Sequence, residues 1–559
     1  MKKYLLVLSF LFLQPLILSA QNFEWLKTLG GTDYDYSPNA IVDEVGNVFV
    51  IGFFDNNIIF NSQRIEKTGS NSFIAKYSST GVPLIIIIGE KCTLDQLIKL
   101  NDNTIAVVGR HSSNALLGST EIIKNAGGTY NIFCAKLDAN LNVQFIKQFY
   151  GSECYNSSIS TTNNGHILLQ NNFQGGSHIV GLETLHTGSQ GYAKYLVEID
   201  NSGNFSNLKF LDQEFGWSIS SIKKDVDGNM FVLGSFINER EGGKLIINNI
   251  TYNTRRNTGS YLVKIDKDFH VKWLKEIYDF GMDNMNLDEN GNLYLCGTAG
   301  SYYYNNTIDF DNIPIQGASS RAFGLYCKID NMGNMLWYKK IEVTNNNIGL
   351  TKLFNKYNKF FMIGKFNGDV TIGSQNYSIN GLNCGLFIKT DEQGNIISSK
   401  AIKAVEYLPW VTSQVELFSV DANTKGEIII AGTVYGKASY ELTEIIAQGR
   451  ADNIIMKFTD FPTDITEFNN IPLNSSLSQN FPNPFNPNTK INFVLPKSSR
   501  VLLKVYNLLG QEKVTLINKE LSAGNHEVNF DGLALASGIY FYRIQAGEFI
   551  QTKKMILLK

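Results

Sequence analysis

Two patterns of apolar and polar positions recur along most of this chain, and both read as short strands between turns. The first is a polar turn followed by an alternating run that usually ends in Gly. It appears as Gly46-Asn47-Val48-Phe49-Val50-Ile51-Gly52, then at Asn103 to Gly109, Gly165 to Asn171, Gly228 to Gly234 and Gly291 to Gly297, and its last two copies end at Gly364 and Gly432. Successive ends lie 57, 62, 63, 63, 67 and 68 residues apart. The second pattern is a short apolar strand closed by a charged residue, at Lys76, Lys136, Glu198, Lys264, Lys328, Lys389 and Lys457. The two sets interleave one for one. Each unit therefore predicts four strands: an apolar strand such as Ala40 to Val42, the Gly-Asn strand, the Lys strand, and an aromatic-led strand plain at Trp273-Leu274-Lys275 and Trp337-Tyr338-Lys339.

Four-stranded units repeating at this period predict a seven-bladed β-propeller over residues 21–460. The ends predict how the ring closes. Phe23 to Lys27 is an aromatic-led strand with no Lys strand before it, and the seventh Lys strand, Ile454 to Phe458, has no aromatic-led strand after it. The N-terminal strand is thus expected to complete the seventh blade. An open solenoid has no reason to lack at one end what is spare at the other. The units resemble the Gly-Asn-rich propeller repeats of secreted bacterial proteins. Blades two, three and six depart from the Asp-x-x-Gly-Asn turn, carrying Asn101-Asp102-Asn103, Asn163-Asn164-Gly165 and Tyr357-Asn358-Lys359.

After a polar linker at 461–475, the character of the chain changes. The three prolines of Phe481-Pro482-Asn483-Pro484-Phe485-Asn486-Pro487 forbid helix and central strand. Short strands between Gly, Asn and Ser turns then predict a small Ig-like β-sandwich over 476–559, making the whole chain all-β. This segment resembles the type A C-terminal sorting domain of the bacterial type IX secretion system. The matching residues are Ser478 to Pro487, with Pro482, Asn483 and Pro484; Val505 to Glu512, with Gly510 and Gln511; Leu535 to Arg543, with Gly538 and Tyr540; and Ala546 through Lys553-Lys554-Met555 to Lys559. Lys513 departs from the pattern, where the family usually has an apolar residue. The resemblance implies the type IX machinery as a partner, a route through the periplasm to the outer cell surface or to secretion, and removal of the domain after passage.

The N-terminus fits such a route. Lys2 and Lys3 precede an apolar run from Tyr4 to Leu18, and Leu18-Ser19-Ala20 ends in a small residue, which predicts a signal peptide over 1–20. No other run of 18 apolar residues occurs, so no transmembrane helix is expected in the mature protein.

Composition narrows the function classes. Hydrophobic residues make up 43% and charged residues 18% of 559, a balance that excludes disorder. The net charge of −2 is a sum of opposites: residues 476–559 hold ten basic and five acidic residues, while 21–475 hold 37 and 46. A propeller with that acidic excess is not expected to bind nucleic acid.

Candidate chemistry is sparse. The six His residues, His111, His166, His178, His186, His270 and His526, form no metal-ligand motif, and no cofactor or metal is expected. The turns Asp225 to Asn229 and Asp288 to Asn292 resemble the start of a calcium loop but lack its ligand spacing and terminal Glu, so they read as hairpin turns. No nucleophile elbow or phosphate-binding loop occurs, and no catalytic residue is assigned. The six Cys read mostly as free thiols, because three of them sit within apolar strands. The loops leading into each blade's first strand carry aromatics beside carboxylates: Tyr34, Asp35, Tyr36, Tyr155, Trp217 and Trp410. Such groups stack on sugars or clamp a peptide. The expected function is a non-enzymatic binding module with a glycan or surface-protein ligand. The alternative is a secreted carbohydrate- or peptide-active hydrolase whose carboxylates converge at the channel.

Overall fold

The computed structural model describes residues 22–459 and 476–559, apart from 126, 163, 187–191, 213–216, 226, 238–243, 248–249, 257, 269, 289, 300–306, 318–322, 343–346, 357–358, 374, 380–381, 406–412, 442, 481, 496–498, 522–523 and 548. The expected signal peptide, the 461–475 linker and Trp410 lie outside this set. All the described secondary structure is strand. The chain divides into two compact units, residues 1–460 and 461–559.

The first unit is a ring of seven antiparallel four-stranded blades. Blade three shows the plan: Glu153–Thr161, Ile167–Gln174, Tyr192–Ile199 and Phe205–Asp212 pair in sequence order. The long strand Pro83–Lys99 serves twice, ending blade one through Pro83 to Gly89 and opening blade two through Cys92 to Lys99. Blade seven takes Gln414–Ala422, Glu427–Tyr440 and Thr443–Thr459 from the end of the unit and Asn22–Leu29 from its beginning.

The Gly-Asn strands are apolar on both faces, and the cores show why. Val48 and Val50 pack into a cluster shared with Ile429, Ala431 and Ile455 of blade seven, whereas Phe49 and Ile51 pack with Ile105, Val107 and Ala135 of blade two. A strand buried on both faces needs no polar side, so the run is continuous and apolar instead of alternating.

The marker Gly also has a cause. A β-bulge interrupts the first strand of every blade at one level, between Tyr36 and Asn39, Leu94 and Gln96, Tyr155 and Ser158, Ile219 and Ser221, Met282 and Asn284, Leu350 and Lys352, and Leu417 and Ser419. The bulge drives a carbonyl against the neighbouring strand: a Cβ on Gly297 would lie 2.1 Å from the Gly281 oxygen, and one on Gly109 would lie 2.2 Å from the Thr93 oxygen. At these positions only Gly fits, whereas blade three carries Asn171 at the equivalent place.

The charged marker joins blades. Lys76, Lys136 and Lys264 each donate to a carbonyl in the last turn of the next blade, at Ala139, Asn201 and Asn331. Lys76 and Lys264 also lie over Phe49 and Phe231 of their own blades, 5.2 and 5.0 Å from the ring centres. The leading aromatic reaches the same turn: Trp273 Nε1 donates to the Asn331 oxygen at 3.1 Å, and the ring covers Gly333, whose φ of +86° admits no side chain cheaply. The closing junction repeats this arrangement. Lys457 donates to the Ser79 oxygen at 2.8 Å, Trp25 Nε1 donates to the same oxygen at 3.1 Å, and its ring covers Gly81. In blade three Glu198 stands in the Lys position and instead accepts from Lys224 at 2.7 Å.

Hairpins between the second and third strands protect the outer rim. That of blade two pairs Leu117 with Gly89 of blade one, that of blade three pairs Ile179 with Tyr150 of blade two, and that of blade five pairs Phe310 with Ile277 of blade four. Each laps over its predecessor's outermost strand, leaving little free edge.

The second unit is a sandwich. A three-stranded sheet (Ser476–Leu477, Asn488–Leu495, Gly524–Asp531) and a four-stranded sheet (Ser499–Asn507, Glu512–Leu521, Gly538–Ala546, Phe549–Leu557) share one core that includes Ile491, Phe493, Leu503, Val505, Tyr542 and Met555.

Candidate functional site

The seven first strands converge on a central cavity of about 660 Å³, with Asn39, Gln96, Ser160, Lys223, Asn284, Lys352 and Ser419 among its walls. A smaller cavity of about 240 Å³ shares several of these residues, Lys223 and Lys352 among them. An innermost strand has no partner on its channel side, and its free amides must find acceptors. Here the preceding blade supplies them. Ser419 Oγ accepts from Ala40 N at 2.9 Å, Gln96 Oε1 from Ile159 N at 2.8 Å, and Asn284 Oδ1 from Leu353 N at 3.3 Å; two residues further on, Asp421 Oδ2 accepts from Val42 N at 2.9 Å.

Two of the carboxylates along this cavity are engaged in turns. Asp225 and Asp288 each cap their own turn, accepting from the backbone and side chain of Asn229 and Asn292 at 2.8 to 2.9 Å. Asp288 also pairs with Lys328 at 3.2 Å and Asp225 with Lys264 at 4.0 Å, and among the described residues no group of three His, Cys, Asp or Glu is placed to hold a metal ion.

The aromatic candidates separate. Tyr34 and Tyr36 are exposed at about two-fifths of their surface. Arg450 lies 5.4 Å over the Tyr34 ring, and Tyr36 stacks on Phe53 at 5.5 Å. Burial, with the Glu416 carboxylate nearby, pushes the Tyr435 hydroxyl up. Tyr155 and Trp217 lie in the first strands of blades three and four, opposite Asn172 and Phe236, but their side chains fall outside the described set.

Asp35 turns inward and is fully buried, so it is not presented beside the two tyrosines. Its Oδ2 accepts from Gly31 N at 2.6 Å, while its Oδ1 has no partner. The carboxyl of buried Asp452 approaches the same point: a Cβ on Gly30 would meet Asp452 Oδ1 at 2.6 Å and Asp35 Oδ2 at 2.8 Å. Burial, with Asp452 adding to it, pushes the Asp35 carboxyl up to about 8. A raised carboxyl stabilises the fold fully below its unfolded value near 3.8 and loses that contribution as pH climbs toward 8. Stability of the native propeller is therefore expected to fall across this window, by up to about 1.4 kcal/mol per pH unit from this group. Asp35→Asn keeps an oxygen for Gly31 and should flatten that fall in chemical denaturation measured from pH 4 to 8; an unchanged slope would show that the group is not held neutral.

A buried Cys-His pair appears that no spacing announced. Cys154 Sγ lies 3.7 Å from His178 Nδ1, and His178 Nε2 lies 3.1 Å from the Tyr195 hydroxyl. Burial pushes the thiol up to about 12 and the imidazole down to about 4, which leaves neither a thiolate nor a charged acid at neutral pH. All six cysteines are buried and unpaired.

In the sandwich, the proline-rich segment is pinned to the last strands. Asn480 N donates to the Tyr542 hydroxyl at 2.8 Å, Tyr542 donates to the Ser478 oxygen at 2.7 Å, and Asn483 Oδ1 accepts from Ile556 N at 2.9 Å. Asn483-Pro484 is a cis bond. Gly510, at φ +75°, and Gln511 complete a turn capped by Asn507. Tyr540 donates to the Ala536 oxygen at 2.9 Å. Lys553 and Lys554 stand on the final strand opposite Tyr542 and Phe541.

No curated protein matches the sequence. Among solved structures, the chain is similar to an ulvan lyase of polysaccharide lyase family PL25 at 9% identity, covering 73% of this chain and 93% of that one, with a TM-score of 0.41. A puromycin hydrolase shares 10% identity with a TM-score of 0.34, over 76% of this chain and 60% of that enzyme. PorZ, a bacterial surface component of the type IX secretion system of Porphyromonas gingivalis, shares 11% identity over 96% and 100% of the two chains, with a TM-score of 0.16. Residues 479–558 match the secretion system C-terminal sorting domain. The match falls on the sandwich with its pinned proline segment, and that unit is a type IX sorting domain which addresses the protein to the cell surface or to secretion.

Proposed function

We propose that the propeller is the exported payload and acts as a binding module, taking its ligand on the face where the seven first strands begin. The observation that carries this reading is the division of labour among the channel residues. Asp225, Asp288 and Asp421 are tied into turns and backbone, so they brace the ring and offer no free acid and base for hydrolysis. Tyr34 and Tyr36 remain exposed, with the aromatic surface that glycans and extended peptides use. A screen of the mature propeller against glycans and bacterial surface proteins tests the proposal. A Tyr34→Ala/Tyr36→Ala double variant is expected to bind the captured ligand about tenfold or more weakly while melting as the parent does, as two exposed contact aromatics would. Undiminished capture would place the site elsewhere, and turnover of a captured glycan or peptide would favour a hydrolase.

A further inference from the structure

The channel contains two side chains that break its structural rule. In blades two, five and seven, the residue just past the bulge of the first strand is Gln96, Asn284 or Ser419, and each caps an amide of the following blade. In blade six that place is held by Lys352, which carries no acceptor. Two residues past the equivalent point, where blade seven has the capping carboxylate of Asp421, blade four has Lys223. Neither lysine can do the work of its counterparts.

Both nonetheless border the channel, half-buried, since each lines the large cavity and the small one. The other lysines of the channel are matched: Lys99 with Glu44 at 2.8 Å and Lys224 with Glu198 at 2.7 Å. Asp95, which borders the smaller cavity, is held by Arg110 at 3.3 Å. Among the described residues, Lys223 and Lys352 have no hydrogen-bonding or ion-pair partner. Around them stand neutral polar groups, Ser158, Ser221 and Asn284. Two ammonium groups bordering one polar pocket repel each other until an anion arrives.

We infer that Lys223 and Lys352 form an anion-binding site in the channel, which takes a sulfate, phosphate or carboxylate group between the two ammoniums with hydroxyl and amide groups alongside. The inference goes beyond the binding-module reading, since Tyr34 and Tyr36 line neither cavity: it names a second site, whose ligand must carry an anionic group. The state of the free lysines agrees: burial, with Lys223 nearby, brings the Lys352 ammonium down to about 8, and burial lowers Lys223 too. Binding an anion would lift both.

The test is competitive labelling of the full mature protein with an amine-reactive reagent at pH 8, mapped by mass spectrometry, with Lys224 as the internal reference. Inorganic sulfate is added at constant ionic strength against chloride, and dextran sulfate is compared with neutral dextran. Lys223 and Lys352 are expected to be protected about threefold or more relative to Lys224, saturably, as the neutral amine fraction falls. Protection by inorganic sulfate shows that the group alone suffices, and protection by dextran sulfate alone places it on a polymer; either supports the site. Equal protection of all three lysines, or none, overturns it. Lys352→Met should weaken the anion about tenfold or more, whereas Lys352→Arg should keep it. The wild-type labelling pattern decides the matter even where a variant does not fold. A propeller that captures a ligand in the surface screen but shows no lysine protection refutes the anion site and leaves the binding module standing.

Discussion

A chain lacking residues 22–28 is expected to lose the single cooperative unfolding transition of the propeller and to melt early and broadly. The strand Asn22–Leu29 is the outer strand of blade seven, paired from Asn22 to Leu29 with Asn453 to Thr459. The deleted residues include buried Trp25, worth about 1.5–3 kcal/mol, and Phe23 and Leu26, which are partly buried against the core. Its removal also leaves Lys457, 1% exposed and paired partly with Glu24 at 3.3 Å, with less to balance its charge. Together with the lost ladder, this approaches the whole 5–15 kcal/mol that keeps a domain folded. Calorimetry of the deleted and parent propellers checks it. An unchanged curve would mean that the ring closes without its clasp. Trp25→Ala is the milder version: it removes the ring from Gly81 and the hydrogen bond to Ser79, and should cost about 3–5 kcal/mol.

Removal of residues 476–559 should abolish delivery to the surface and leave the propeller in the periplasm. The truncation takes away the entire sandwich, with the pinned segment at Asn480 to Phe485 and the final strand, but none of the clusters that hold the blades together. Fractionation of expressing cells is therefore expected to show a folded, protease-resistant propeller inside the outer membrane and nearly none outside it. Normal surface delivery would overturn the assignment. A point change separates fold from address: Asn480 is 1% exposed and its side chain donates to both the Pro482 oxygen and Thr489, so Asn480→Ala should destabilise the sandwich by about 1–3 kcal/mol.

The blades were legible because their repeat is written in residues with mechanical duties. The Asp-x-x-Gly-Asn turn shows as a motif because Asp caps backbone and Asn together, as Asp43 does for Asn47. The spare aromatic strand at the N-terminus announced the closure that Trp25 makes. The channel was harder to read, since its inner strands differ from blade to blade and their bulges have no sequence signature apart from the Gly that faces most of them. Counting back 13 residues from each marker end gives Asn39, Gln96, Ser158, Ser221, Asn284 and Ser419, all small or medium polar groups, and in blade six a count of 12 gives Lys352. That exception was visible in principle, but its meaning depends on knowing that the position caps a neighbouring amide. The inward turn of Asp35 was not legible, because nothing in Tyr34-Asp35-Tyr36 says which of the three faces the protein.

The contact set at the closing junction is the same as that between blades four and five: a Lys and a Trp meeting on one carbonyl, and a ring laid over one Gly. In the folded domain, then, position in the chain has no counterpart in position around the circle. Blade one is first only to the ribosome. The break between Asn22 and Thr459 is a scar of linear synthesis that the ring does not need, and a permuted polypeptide opened between two other blades would meet the same seven junctions.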